Sequence, residues 1–184
     1  MPSYLSINKR IDSFNKKILV SGDKSLSIRW VLLASQAVGK SKAYNLLMSE
    51  DVVAALEAIK KLGIKVLIKK KYCEILGKGL NNFTYKNGLV IDAKNSGTLG
   101  RLILGLLIKS TKKIKLIGDK SLSKRDFSRV TEPLKKFGAK FHYKVKNKLP
   151  LSIIGSHNSK DIHYVENKGS AQCKSSVMLA ALNS

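Results

Sequence analysis

Cysteine, proline and long apolar runs are all scarce in this sequence of 184 residues. The two cysteines, Cys73 and Cys173, lie far apart and lack the spacing of metal ligands. A disulfide framework and a zinc site are therefore disfavoured, and a cytoplasmic protein is expected. No apolar run reaches the roughly 18 residues of a membrane helix, and residues 1–5 lack the apolar core of a signal peptide. We expect a globular protein with no membrane association.

Acidic residues are also few, with 12 Asp and Glu against 35 Lys and Arg, a net charge of +23. Such a surplus is common in proteins that bind nucleic acid. The lysines, however, are spread along the whole chain, and aromatic residues do not alternate with them as a base-stacking surface requires. The composition favours anionic substrates, and a basic nucleic-acid-binding module stays as the alternative from outside the enzymes.

The stretch from Ser21 to Arg29 is the first candidate site. A Gly-bearing turn places Lys24, Ser25 and Arg29 on the first turns of a predicted helix. Free N–H groups and the positive end of the helix dipole favour an anion there, and an Arg side chain can bind a carboxylate or phosphate through two hydrogen bonds. A capped surface helix with solvated charges explains the same pattern, so the stretch alone leaves both interpretations open.

Apolar spacing predicts two βαβαββ units and the start of a third. The first has predicted strands at 17–20, 43–47, 64–68 and 72–76 and helices at 24–38 and 50–62. The second has predicted strands at 88–92, 113–117, 141–145 and 151–154 and helices at 96–108 and 124–137. The third opens with a strand at 162–165 and a helix at 170–182.

The first helices of the three units recur at a regular period, because they open near Lys24, Gly97 and Ala171, about 74 residues apart. A period this long indicates repeated compact units and excludes a thin solenoid. We predict an α+β (mixed α/β) fold, with residues 1–184 forming a single incomplete domain of a longer protein. Its units span about 17–80, 86–156 and 161–184.

Equivalent helix starts in repeated units are expected to converge on one centre, which their dipoles make attractive to anions. The basic residues near these starts are Lys24, Arg29, Arg101, Arg125 and Lys174, and the neutral hydrogen-bonding residues are Ser25, Thr98, Ser170 and Gln172. A near copy of Gly22 to Arg29 occurs at Gly118 to Arg125. Its offset differs from the repeat period, so it precedes the second helix of its unit.

Four motifs in order resemble those of the 5-enolpyruvylshikimate-3-phosphate (EPSP) synthase family. They are residues 23–29 (DKSLSIR), residues 95–98 (NSGT) with Arg101, Lys124-Arg125, and residues 170–175 (SAQCKS). Each is weak alone, but four in order at similar spacing are specific, and the resemblance covers the chain from about residue 17. The family's chain is more than twice as long and has two domains, each of three βαβαββ units. The resemblance therefore implies the N-terminal portion, with the second domain absent.

The resemblance implies transfer of the enolpyruvyl group of phosphoenolpyruvate to the 5-hydroxyl of shikimate 3-phosphate, in the shikimate pathway of aromatic amino-acid biosynthesis. It implies no metal or organic cofactor, and a monomer at full length. The family's acid/base Asp and Glu lie in the absent half, and Glu57, Asp92 and Glu132 are better explained as solvated or capping residues. We expect this chain alone to be inactive.

Roles carry over from the resemblance residue by residue, with Lys24 as the catalytic residue contacting both substrates. The residues implied for shikimate 3-phosphate are Lys24, Ser25, Arg29, Ser170, Ala171 and Gln172. Those implied for phosphoenolpyruvate are Lys24, Asn95, Gly97, Arg125 and Gln172. Glyphosate is expected to compete with phosphoenolpyruvate at Gly97, where an added methyl would crowd the pocket.

Two residues depart from the family pattern. Leu99 stands where a small residue or Thr is usual, and Asp126 follows Arg125 where Pro is usual. An acid beside Arg125 is expected to weaken its hold on an anion. The related transferase that acts on UDP-N-acetylglucosamine is the nearest enzyme alternative. It carries a catalytic Cys in the loop that corresponds to residues 119–123, where this chain has none.

Overall fold

The computed structural model describes residues 4, 6–10, 13–167 and 169–184. The helices in these residues are α1 (Lys24–Gln36), α2 (Glu50–Lys61), α3 (Gly97–Leu106), α4 (Ser128–Lys136) and α5 (Ala171–Asn183). The five helices predicted from the sequence are confirmed. The predicted 124–137 helix is shorter than expected, because Leu122–Lys124 forms a separate 3-10 turn and Arg125 is extended. None of the described helices is long and apolar enough to cross a membrane.

The strands of the described residues form two sheets. The first contains β1 (Val38–Tyr44), β2 (Lys65–Ile68) and β3 (Tyr72–Lys78) in the order β1-β3-β2, with antiparallel neighbours. The second contains β4 (Leu89–Asp92), β5 (Ile114–Ile117), β6 (Lys140–Tyr143) and β7 (Leu151–Ile154) in the order β4-β5-β7-β6. Only the β4–β5 pair is parallel among the described strands. The predicted mixed α/β class is confirmed.

The two sheets share one topology except at an edge. In chain order β1, β2 and β3 correspond to β5, β6 and β7, and β4 then adds a fourth strand beside β5. The strand predicted at 17–20 is wrong, because the structure assigns none of these residues to a strand. Leu19 is 95% exposed, and the carbonyl oxygen of Val20 accepts a hydrogen bond from Nδ2 of Asn45 at 3.0 Å. An apolar run becomes a strand only where a neighbouring strand pairs with its backbone groups.

Two further strand predictions need correction. Residues 162–165 form no strand, although Ile162 and Tyr164 pack against the core. The strand predicted at 43–47 instead begins at Val38 and ends at Tyr44. Its polar residues alternate between exposed and half-buried positions, a pattern that a one-sided sheet accepts, so the polar stretch after α1 is strand and not loop.

One apolar core joins the helices and both sheets. Helix α2 packs against α1 and α3, and α4 packs against α3 and α5. The closest helix pair is α3 with α5, where a side chain on Gly105 would lie 2.0 Å from the backbone oxygen of Ser176. Helices α1, α3 and α5 are therefore the inner helices, and their starts lie in one region of the molecule.

Candidate anion-binding site

The three inner helices begin with the same kind of cap. In each, a side-chain oxygen of the residue before the helix accepts a hydrogen bond from the backbone N–H three residues later. The bonds run from Leu26 N to Asp23 Oδ1 (2.7 Å), from Leu99 N to Ser96 Oγ (3.2 Å) and from Cys173 N to Ser170 Oγ (3.3 Å). The remaining N–H groups of each first turn stay available to a ligand.

Side chains of α1 and α3 reach the start of α5. Arg29 donates from Nη2 to Ser175 Oγ at 3.1 Å. Arg101 donates from Nη1 to Gln172 Oε1 at 2.9 Å, and Gln172 donates from Nε2 to Thr98 Oγ1 at 3.0 Å. The structure therefore brings the three helix starts together, with an arginine on each side of α5.

Two guanidinium groups occupy the space beside Gly97. A Cβ atom at this position would lie 2.8 Å from Nη1 of Arg101 and 2.9 Å from Nη1 of Arg125. Arg101 also stacks over the ring of Phe127 at 5.3 Å. Burial lowers the pKa of Arg101, and the positive charge of Arg125 acts in the same direction. Two like charges this close attract an anion strongly, because it relieves their repulsion.

Lys24, the predicted catalytic residue, forms an ion pair with a residue of α2. Its Nζ lies 3.0 Å from Oδ2 of Asp51, and its side chain is 51% exposed. The Asp51 side chain is 18% exposed, but the ammonium group is open to solvent. Solvent weakens such a pair, so a bound anion can compete with Asp51 for the ammonium group. Asp51 lies in the first turn of α2, where an acid also complements the helix dipole. Lys24 and Asp51 are 27 positions apart in the sequence, so no local pattern indicated that they form a pair.

Asn95 is held by an acid that sequence reasoning missed. Its Nδ2 donates to Oδ2 of Asp119 at 2.5 Å, and Leu122 N donates to Oδ1 of the same carboxylate at 2.6 Å. The bond from Leu122, followed by the one from Asn95, lowers the pKa of Asp119. A signal was present in the sequence, because Asp119 occupies the position of the capping Asp23 in the near copy of Gly22 to Arg29.

The other predicted residues lie at the helix starts themselves. Ser25 accepts from Nη1 of Arg29 through its carbonyl at 3.2 Å, and the Ala171 carbonyl accepts from Ser175 Oγ at 2.8 Å. Lys24 and Asn95 are thus held by acids of neighbouring segments. Arg29 instead donates to Ser175 of α5, and Gln172 of α5 accepts from Arg101.

The two departures have structural explanations. Leu99 is fully buried, and its larger side chain is part of the apolar core. Asp126 accepts through Oδ1 from the Ser128 backbone N–H at 2.7 Å and from the Ser128 hydroxyl. Its carboxylate therefore supports the start of α4, and among the described residues it forms no ion pair with Arg125.

Sequence comparison with known proteins relates this chain to one enzyme family. Residues 9–184 match the model of the family EPSP synthase (3-phosphoshikimate 1-carboxyvinyltransferase). The 3-phosphoshikimate 1-carboxyvinyltransferase of Streptococcus pyogenes serotype M4 is 39% identical over 166 residues, which cover 90% of this chain and 39% of the relative. That of Zymomonas mobilis is 36% identical over 178 residues, 96% of this chain and 39% of the relative.

A solved structure has the same fold. EPSP synthase from Acinetobacter baumannii matches with a TM-score of 0.85 and 33% identity, over 91% of this chain and 38% of that one. This chain spans about 39% of the length of the curated relatives it matches, as the motifs led us to expect. The family inferred from four short motifs is confirmed: the chain belongs to the EPSP synthase family.

Proposed function

We propose that this chain supplies one half of a site in which the enolpyruvyl group of phosphoenolpyruvate is transferred to the 5-hydroxyl of shikimate 3-phosphate, with release of phosphate. The observation that carries this proposal is the meeting of three capped helix starts with Arg29 and Arg101 at α5. Both substrates are phosphorylated carboxylates, the groups that helix N-termini and arginines bind best.

The shikimate 3-phosphate side is proposed to lie between α1 and α5. Arg29 bridges these helices through Ser175, and Ser170 caps α5 next to Ala171 and Gln172. A phosphate at the start of α5 would accept from the free backbone N–H groups of its first turn and from the Ser170 hydroxyl. Ser25 and Lys24, one helix away, complete the set, with Lys24 able to reach either substrate.

The phosphoenolpyruvate side is proposed to lie at α3, between Asn95, Gly97 and Arg125. The missing side chain of Gly97 leaves room for the two guanidinium groups, which any larger residue would displace. Competition between glyphosate and phosphoenolpyruvate at this position is part of the same proposal. Gln172, bonded to both Arg101 and Thr98, joins this side to α5.

We also propose that residues 1–184 form one incomplete domain, with units at about 17–80, 86–156 and 161–184. A groove of about 320 Å³ supports this proposal, and it is lined by Arg29, Leu33, Leu102, Ser175, Met178, Leu179 and Leu182. Because α2 covers α1 and α3, and α4 covers α3 and α5, a sixth helix packed on α5 and α1 would complete the set. Leu33 and Met178, at 50% and 70% exposure, are suited to meet it.

The acid and base of the transfer are proposed to lie outside this chain, in a second domain. The isolated chain is then expected to bind anions without turnover. We also propose that the full-length protein is a monomer in the cytoplasm. Cys73 and Cys173, both free and buried, suit a reducing compartment.

Titration of the 184-residue chain with shikimate 3-phosphate, followed by NMR or calorimetry, tests the site. We expect Lys24→Ala and Arg29→Ala each to weaken binding by about tenfold or more, the effect of losing one charge-assisted hydrogen bond. Lys120→Ala is the matched control, because Lys120 occupies the Lys24 position in the near copy and is equally cationic.

Three results would contradict the proposal in different ways. Absence of any shikimate 3-phosphate binding by the folded chain would reject the substrate site. Turnover by the chain alone would reject the placement of the acid and base elsewhere. Tighter binding to oligonucleotides than to either substrate, at about 0.15 M salt, would favour the nucleic-acid alternative.

A further inference from the structure

We propose that Asp119 is a positioning residue, which fixes the Asn95 side-chain amide as a hydrogen-bond donor toward the anionic groups of phosphoenolpyruvate. This inference rests on the proposed function, because it concerns the same site. The inference adds Asp119 to the residues that shape the site. Asp119 is not proposed to contact a substrate itself, because it acts through Asn95 and through the turn that leads to Arg125.

The two oxygens of Asp119 serve different segments. Oδ1 accepts from Leu122 N at 2.6 Å and so begins the 3-10 turn, while Oδ2 accepts from Asn95 Nδ2 at 2.5 Å. The backbone N–H of Asp119 donates to the Lys94 carbonyl at 2.8 Å. Asp119 is therefore bonded both to the segment that ends in Asn95 and to the segment that carries Arg125.

The chemistry of a carboxylate decides which way the amide faces. An ionised carboxylate only accepts hydrogen bonds, so it must face the NH2 group of Asn95 and not the carbonyl oxygen. The amide nitrogen has two hydrogens, and one is taken by Asp119. The second remains for an acceptor on a ligand, and because Asn95 is exposed a ligand can reach it.

The same carboxylate sets the spacing of the two proposed phosphoenolpyruvate residues. Arg125 N donates to the Leu122 carbonyl at 3.1 Å, so the turn that Asp119 caps ends at the backbone of Arg125. Leu122 is fully buried, which fixes this turn against the core. The side-chain amide of Asn95 and the guanidinium group of Arg125 are thereby both held beside the start of α3.

The decisive variant is Asp119→Asn. Its side chain can still accept from Leu122 N, but it presents an NH2 group to the NH2 group of Asn95. Asn95 must then rotate, and we expect phosphoenolpyruvate to bind about tenfold more weakly, the loss of one hydrogen bond to a charged group. Glu132→Gln is the matched control, because it removes one negative charge from an exposed side chain on α4 and should leave affinity unchanged.

The double variant Asn95→Asp with Asp119→Asn separates positioning from support of the fold. It restores a carboxylate–amide bond with the roles reversed, so the urea midpoint should return toward that of the unsubstituted chain. A carboxylate would then face the ligand, and phosphoenolpyruvate binding should stay at least tenfold weaker. In the unsubstituted chain, the Asn95 side-chain NH2 should give one strongly shifted proton signal in NMR spectra, absent from Asp119→Asn.

The outcomes are distinct. If Arg125→Ala abolishes phosphoenolpyruvate binding while Asp119→Asn binds as tightly as the unsubstituted chain, the positioning role is wrong and the proposed function stands. If the double variant regains both stability and affinity, Asp119 serves only the fold. If the unsubstituted chain does not bind phosphoenolpyruvate at all, the proposed function fails and this inference fails with it.

Discussion

Two segments of this chain start alike and end differently: Gly22 to Arg29 and Gly118 to Arg125. In both, an Asp carboxylate accepts from the backbone N–H three residues on, at 2.7 Å in the first and 2.6 Å in the second. In both, the backbone oxygen of that Asp accepts from a Ser N–H at 2.9 Å. The shared sequence therefore builds the same capped turn twice.

The segments diverge after the turn. The first continues as the 13-residue helix α1, whereas the second stops at Lys124 and leaves Arg125 extended. The residues that follow explain the difference, because Ile28, Val31 and Leu32 recur on one buried face of α1. The second copy continues with Lys124, Arg125 and Asp126, which offer no apolar face, and a helix without packing is unstable.

The shared leucine has opposite surroundings in the two copies. Leu26 is 67% exposed, whereas Leu122 is fully buried. The same turn thus directs its basic residue differently: Arg29 stays on the helix and reaches α5, while Arg125 leaves the turn and lies beside Gly97. The cap is a local property of the sequence, and the position of the arginine depends on what the turn packs against.

Truncation of the shared leucine should give the largest difference between the copies. We expect Leu122→Ala to lower the free energy of unfolding by about 2–5 kcal/mol, the usual cost of emptying a buried site. Leu26→Ala should change it by less than about 0.5 kcal/mol, because an exposed side chain leaves no cavity. Urea unfolding of both variants measures the difference. Equal losses would mean that the two copies pack alike in solution.

Adding a methyl group to the shared glycine should give a smaller difference. In Gly22→Ala the Cβ would lie 2.2 Å from the backbone oxygen of Asn45, which cannot move without disturbing the end of β1. We expect a loss of about 1–3 kcal/mol, typical of overpacking.

In Gly118→Ala, the nearest atom is the end of the Leu122 side chain at 2.8 Å, which can shift at less cost than a backbone atom. The Lys94 backbone oxygen, at 3.1 Å, is less crowded. The loss should be smaller, on the order of 1 kcal/mol. The same urea experiment compares the two variants, and a larger loss for Gly118→Ala would show that the second turn is the more rigid one.

Much of the fold could be predicted because helices carry local signals. The helix starts at Lys24, Gly97 and Ala171 follow capping residues and precede apolar repeats, and the structure has helices there. The strands predicted at 17–20 and 162–165 were wrong because a strand depends on a neighbour distant in sequence. An apolar run indicates that a segment can pair, and does not indicate that a partner strand is present.

The same contrast between local and long-range signals applies to the residues of the candidate site. The basic and polar residues at the helix starts could be found from motifs, since each lies within a few residues of its cap. The acids that hold them, Asp51 on Lys24 and Asp119 on Asn95, are separated from their partners by 27 and 24 residues. Such pairs are set by tertiary packing. Only the duplication of the Gly22 motif could have indicated Asp119 in advance.

The smallest expected effect is a change in the pKa of Asp119 when its Oδ2 loses the hydrogen bond from Asn95. The N–H of Leu122 and then the amide of Asn95 hold the pKa of Asp119 below its ordinary value. Because this pKa is depressed in the folded chain, the stabilisation is present above the unfolded value near 3.9 and is lost as pH falls through the folded value.

In Asn95→Ala the pKa of Asp119 should rise only part of the way, since the Leu122 bond remains. A carboxyl carbon NMR titration below pH 6 measures both values. An unchanged pKa in Asn95→Ala would mean that the carboxylate is held by the turn alone, as in the simpler cap at Asp23.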